Sequence, residues 1–197
     1  ASGRDYVAYD NLSRGNRRSV PTGKLVVGDL RDTQLLRETI QRNGVTAVVH
    51  FAALAYVRES MEKPDLYWLN NVEGTRSLLE AMRDTEIHPL IFSSSCATYG
   101  VPPELPISLD SIQRPINPYG HTKLACEWLI KDLAPTQDLS FTLLRYFNVA
   151  GSDPELEIGE VHEPETHIIP AILLKMLGTN NQPLKIYGRT HPTPDGT

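Results

Sequence analysis

Residues 90–100 read LIFSSSCATYG: an apolar run, Leu90 to Phe92, passes directly into three serines and a turn closing at Gly100. A short apolar run ended by small polar residues has the form of a buried parallel strand that delivers its carboxyl end to a ligand edge. The same unit repeats on both sides. Upstream, 6–9 reads as a short strand ending at Asp10, 25–27 as a second ending at Gly28-Asp29, and 47–51 as a third. The third is expected to be covered on both faces. Leu35, Leu36 and Ile40 recur at helical spacing up to Asn43-Gly44, a helix-stop signal, and a long helix over 65–83 follows Pro64. Downstream of a Pro-rich loop, 119–133 is helical and 141–146 is a further strand. Strands alternating with helices predict an α/β fold, a doubly wound parallel sheet with ligands beyond the strands' carboxyl ends. The residues just past those ends are Asp10, Asp29, the Phe51-Ala52-Ala53 turn, Ser93 to Ser95, and Asn148.

Beyond Gly151 the pattern changes to acids, glycine and prolines, then a helix over 167–177 and a strand over 184–187. The change predicts a Rossmann-like domain over 1–150 and part of a smaller substrate domain over 151–197. With 197 residues, 40% of them hydrophobic, and a formal charge of −5, the chain lacks a basic face and argues against nucleic acid as a partner. An anionic substrate must then be held by local donors. Cys96 and Cys126 have no metal-ligand spacing and no disulfide scaffold around them, which points to reduced thiols in the cytoplasm. No metal site is expected. No apolar run has the length of a membrane span, and no signal peptide opens the chain. Arg14, Arg17 and Arg18 read as a solvated loop.

Tyr119 and Lys123 lie four apart, one face of a helix, so the ammonium can sit near the phenol. A free tyrosine titrates near ~10. A neighbouring cation and a first-turn position, with Pro118 at the helix start, are expected to favour the phenolate. Ser95, at a strand end, adds a hydroxyl that both donates and accepts. Together they suggest a proton relay to a substrate oxygen. Asp10 is placed to accept both ribose hydroxyls of an adenosine, and its charge favours NAD over NADP, although Arg14 could compensate a 2′-phosphate. Asp29 could bond the adenine amino group. The glycine-rich phosphate loop belongs about 20 residues before such an aspartate, and only nine residues precede Asp10 here.

The stretches YDNLSRGN (9–16), GDLRD (28–32), VVHFAALAYVRES (48–60), NNVEGT (70–75), FSSSCATYG (92–100), NPYGHTK (117–123), LLRYFNVAGSDP (143–154), IGEVHEPETHIIP (158–170) and IYGRTHPTPDGT (186–197) occur in order over almost the whole chain. In this they resemble the extended short-chain dehydrogenase/reductase family, and within it the UDP-glucose 4-epimerases. Compared with that family, the first strand with its glycine loop and most of the carboxy-terminal substrate domain are not in the sequence. The resemblance implies Ser95, Tyr119 and Lys123 as catalytic residues. It implies NAD contacts from Asp10, Asn11, Leu12, Ser13, Arg14 and Gly15, from Asp29 and Leu30, from Phe51, Ala52, Ala53, Leu54 and Ala55, and from Asn70, Tyr146 and Phe147. It places Asn148, His167, Ile168 and Tyr187 at the UDP-sugar, and a homodimer contact on the helices over 65–83 and 119–133. Some family members carry a lysine where this chain has Ala55, and that contact is lost. AYVRES and SSCATYG also resemble the plant-type UDP-arabinose 4-epimerases.

The implied reaction is reversible oxidation at C4 of the sugar. Dehydration is disfavoured, because Cys96, Ala97 and Thr98 follow Ser95 with no carboxylate among them. A simple dehydrogenase fits less well with the diphosphate-associated RYFNVAGSDP. A non-catalytic piece, with unpaired strand edges and weak cofactor retention, is the alternative from another class.

Overall fold

The computed structural model describes residues 3, 5–155, 159–160, 162, 165–179, 183–184, 188–190 and 196. They form two compact units, Ala1–Asn148 and Val149–Thr197. In the first, β1 (Ala8–Asp10) pairs with β2 (Leu25–Val27) in parallel, Ala8 opposite Leu25. A separate parallel sheet runs β3 (Val48–His50), β4 (Pro89–Ser95), β5 (Ser140–Tyr146), with Leu90 opposite both Val48 and Phe141. The serines Ser93 to Ser95 therefore belong to β4 itself, paired with Leu144 to Tyr146 on one side.

Five helices connect these strands. α1 (Thr33–Arg42) starts where the Asp32 carboxylate accepts the Leu35 N–H and stops at Asn43-Gly44, Gly44 taking φ +55°. α2 (Val57–Glu62), α3 (Pro64–Tyr67) and α4 (Gly74–Asp84) follow β3, and α5 (Pro118–Gln137) follows β4. Leu36 and Ile40 of α1, Leu79 and Met82 of α4, Leu90 and Phe92 of β4 and Ile130 of α5 make one core. Each such side chain contributes about 1.5–3 kcal/mol by leaving water. The burial explains why the 3.6-residue pattern was so plain in α1 and α4.

Two expectations need correction. The helix over 65–83 is not uniform: between α3 and α4 the backbone widens into a π-helical segment, Trp68–Glu73. Such widening accommodates an extra residue within a helix and often marks a site. Here it turns Asn71 inward, 2% exposed. The strand over 47–51 is not covered on both faces either. The helices pack on one face, and Val49 on the other is 51% exposed, as is Ile91 beside it at 39%. The inward residue of β3 is the polar His50, whose Nε2 lies 3.0 Å from the Thr75 hydroxyl.

In the second unit α6 (Ile168–Met176) begins at the N-cap His167 and ends before Gly178, at φ +72°. Residues 185–187 of the expected last strand, Tyr187 among them, lie outside the described residues.

Candidate functional site

Ser95 closes β4 and also caps the turn that follows, its Oγ accepting the Ala97 N–H at 3.1 Å. Pro118 opens α5 as its first residue, and the Asn117 side chain accepts the Gly120 N–H at 2.8 Å, so Tyr119 stands in the first helical turn. A Cβ at Gly120 would lie 2.6 Å from the Ala97 carbonyl oxygen. Only glycine lets α5 approach the 96–98 turn this closely, and the approach sets the Tyr119 phenol beside the Ser95 side chain, whose hydroxyl holds the phenol's pKa down. One turn further, Lys123 Nζ lies 6.0 Å from the centre of the Tyr119 ring and 5.0 Å from that of Phe92. It donates to the Ser93 carbonyl at 2.7 Å. Serine, tyrosine and lysine are thus brought together at the carboxyl end of β4.

The electrostatics differ from the sequence expectation. Burial pushes the Tyr119 phenol above its usual range; the Ser95 hydrogen bond pulls it down and Cys96 pushes it up. The Lys123 ammonium reaches past the ring and donates to the Ser93 carbonyl rather than to the phenol oxygen. Lys123 itself is 3% exposed, makes no ion pair among the described residues, and is pushed down by burial to about 8. His50 below it is held neutral, at about 3, by burial and then by Lys123.

β1 and β3 each have one strand partner among the described residues. Between the other edges of these two strands lies a cavity of about 1080 Å³. Its wall includes the 10–15 loop apart from Leu12, then Asp29 and Leu30, Phe51 to Leu54, and Asn70; Leu12 and Ala55 are not on it. The loop folds back on Asp10. Leu12 takes φ +58° and its N–H donates to Asp10 Oδ1 at 2.6 Å, while a Cβ at Gly15 would lie 2.6 Å from Asp10 Oδ2. This cradle of a carboxylate beneath a bare glycine fits a ribose diol, and so fits the adenosine half of NAD.

Two neighbours are committed elsewhere. Asp29 accepts from Arg31 N, Nε and Nη2 and from Asn11 Nδ2, which fills the four acceptor sites of a carboxylate. The Arg31 guanidinium holds its carboxyl well below the usual range. An adenine amino group would have to displace Asn11. Arg14 is exposed, as expected of a solvated loop, and from there it grips Glu59 of α2 with Nη2 at 2.7 and 2.9 Å and lies over the Tyr56 ring.

Tyr146 pairs with Ser95 across β4 and β5, and Phe147 and Asn148 follow it, both exposed. In the second unit Ile168 is exposed and the His167 ring faces Glu160. Sequence reading missed Asn71 and Thr122. The Asn71 amide accepts from Leu54 N (2.8 Å), donates to Leu54 O (3.0 Å) and donates to Thr122 Oγ1 (3.1 Å), tying the cavity wall to the helix that carries Tyr119 and Lys123. Only the doubled asparagine, Asn70-Asn71 inside a helical pattern, hinted at it. Also missed was Glu127, one turn beyond Lys123 and fully buried, which accepts from Ser94 Oγ (2.5 Å), Gln113 (3.1 Å) and Arg145 Nε and Nη2 (2.9 and 2.7 Å).

Among curated proteins, the UDP-glucose 4-epimerase of Rhizobium meliloti (strain 1021) is 46% identical over 197 residues, covering 100% of this chain and 60% of that protein. The crystal structure of UDP-glucose 4-epimerase from Brucella ovis in complex with NAD superposes with TM-score 0.92 at 49% identity, over 98% of this chain and 59% of that one. That from Bifidobacterium longum in complex with NAD⁺ and UDP gives 0.93 at 32% identity, over 99% and 61%. The chain thus spans about 60% of the length of these relatives. Its parallel strands, its helix-borne tyrosine and lysine and a match over residues 1–197 lead to one statement: the chain belongs to the NAD dependent epimerase/dehydratase family.

Proposed function

We propose that this chain is the nucleotide-binding part of an NAD-dependent UDP-sugar 4-epimerase, acting on UDP-glucose and UDP-galactose by reversible oxidation at C4. The observation that carries the reading is the convergence of Ser95, Tyr119 and Lys123 at one strand end. Relatives named UDP-glucose 4-epimerase at 46% identity support it. In this reading Asp10 accepts the ribose hydroxyls, its second oxygen sheltered under Gly15. Its charge repels a 2′-phosphate, and Arg14, held by Glu59, does not compensate, which favours NAD over NADP.

When bound, NAD⁺ supplies a hydride acceptor and a positive charge. Tyr119 takes the proton of the sugar 4-hydroxyl through Ser95, and Lys123 keeps positive charge below the phenol ring throughout. The 4-keto sugar would then turn about its diphosphate link, present its other face, and regain the hydride given up at oxidation together with the proton from Tyr119. Because burial raises the Tyr119 pKa, the positive charge brought by NAD⁺ is what favours phenolate at the moment of oxidation. Asn148, His167, Ile168 and Tyr187 are assigned to the UDP-sugar. Leu66, Leu69 and Trp128, exposed on the helical segments assigned to a dimer contact, support a homodimer. No helix among the described residues is long and apolar enough to cross a membrane, and two free cysteines support a reducing, cytoplasmic setting.

The test is to incubate the full-length protein with UDP-galactose, and separately with UDP-arabinose, and to identify products by NMR. Formation of UDP-glucose from UDP-galactose is the expected result. Turnover of the pentose alone would move the substrate to UDP-pentoses. A 4-keto-6-deoxy product would overturn epimerisation.

A further inference from the structure

The second unit holds a group of four side chains of which the proposed chemistry uses only His167, assigned above to the UDP-sugar. Glu160, His162, Glu165 and His167 each present one ligand-type atom, and the four atoms lie within 4.8 Å of one another. His162 Nδ1 is 3.0 Å from Glu160 Oε1 and 3.8 Å from Glu165 Oε1. His167 Nδ1 is in hydrogen-bond contact with the same Glu160 oxygen, and the two imidazole rings meet edge to face at 4.9 Å. Two carboxylates and two imidazoles therefore converge on one small volume from a stretch of eight residues, E-x-H-x-x-E-x-H.

We infer that Glu160, His162, Glu165 and His167 form a binding site for a divalent transition metal of the zinc type. Nitrogen and carboxylate ligands bind Zn²⁺ at about 2.0–2.2 Å, which puts the edges of a tetrahedron at ~3.4 Å. The 3.0 and 3.8 Å separations straddle that edge, and the widest pair has to close by about 1.4 Å to reach it. Charge argues the same way. From Gly151 to Leu174 the sequence has six carboxylates and no lysine or arginine. The carboxylates of Glu160 and Glu165 bring two negative charges to one small volume, which one divalent ion balances. A mixed imidazole and carboxylate set suits Zn²⁺, Co²⁺ or Mn²⁺, whereas Ca²⁺ and Mg²⁺ prefer oxygen alone. Four protein ligands leave no open position, so the site is structural: it would fasten Glu160, His162 and Glu165 to His167 at the start of α6. It shares His167 with the UDP-sugar assignment, and its metal-binding test reads no epimerase activity.

The experiment strips the 197-residue chain with a chelator at pH 7.5 and titrates it with Zn²⁺, followed by calorimetry, and with Co²⁺, followed by visible absorption. One equivalent of Zn²⁺ should bind with Kd below about 10 μM, and Co²⁺ should give the intense bands of a tetrahedral centre. His162→Ala and His167→Ala should each weaken Zn²⁺ binding at least ~10-fold, while His88→Ala, exposed on the other unit, leaves it unchanged. Both ligand histidines are partly exposed, at 33% and 44%, so unchanged circular dichroism is expected in the variants. Absence of saturable Zn²⁺ binding at 100 μM (on the order of ten times the expected Kd), or equal affinity in the His162→Ala/His167→Ala double variant, would overturn the inference.

Discussion

Replacing Lys123 by methionine should make the chain more stable, and the proposed chemistry requires that it also abolish turnover. The ammonium is 3% exposed, with one carbonyl acceptor and two ring faces for company. Its pKa falls from 10.5 to about 8, which corresponds to about 3 kcal/mol charged against holding the proton in the folded state. Losing the bond to Ser93 returns about 1 kcal/mol, so Lys123→Met should gain about 2 kcal/mol at pH 7. The sign with pH is specific. The folded pKa lies below the unfolded one, so between about 8 and 10.5 the unfolded chain binds more protons and the wild type gains stability as pH rises. The methionine variant lacks that gain. Its advantage should therefore shrink by about 2 kcal/mol between pH 7 and pH 9.5. Urea unfolding of both chains at the two pH values reads this directly. A pH-independent difference, or a variant less stable than wild type at pH 7, would refute the burial argument.

Three further outcomes are expected. Glu127→Ala leaves the Arg145 guanidinium, 15% exposed, without its carboxylate and should cost about 3–5 kcal/mol in urea unfolding. Burial pushes the Glu127 carboxyl up, but bonds from Arg145, Ser94 and Gln113 outweigh it and hold it low. Its contribution is therefore present above the unfolded value of 4.5 and lost as pH falls through the folded one, and an acid titration of wild type against variant checks this. Asn71→Ala removes four hydrogen bonds and strands the Leu54 backbone, for a loss of about 3 kcal/mol by thermal melting. Gly120→Ala forces α5 away from Ala97, so kcat of the full-length protein should fall at least ~10-fold while NAD content stays unchanged; a kcat equal to wild type would count against the close approach.

The sequence carried the parallel strands and the helices that bury one face, because burial on a sheet or helix leaves its period in the residues. Leu35, Leu36 and Ile40 announced α1, and Leu90 to Phe92 announced β4. The Tyr119–Lys123 spacing was equally legible, since α5 is regular there. What periodicity cannot express is competition between partners. Asp29 reads as a free strand-end acid, yet Arg31 two positions on occupies it; Arg14 reads as solvated and is exposed, but its partner Glu59, 45 positions away in sequence and 2.7 Å away in space, was not legible. The π-helical segment leaves the hydrophobic pattern almost intact while rotating Asn71 inward, so its role was invisible. The phenol's pKa was misjudged for a related reason: helix spacing fixes where Lys123 starts, and packing decides that its ammonium ends on Ser93.

The account stands most directly on Tyr119→Phe in the full-length protein, a change that removes one oxygen and keeps the ring packed edge-on to Tyr67. Interconversion of UDP-galactose and UDP-glucose should fall by ~10²–10⁴-fold in kcat, with bound NAD and UDP affinity within two- to three-fold (roughly) of wild type. Turnover retained to within a few-fold would contradict Tyr119 as the group that moves the proton.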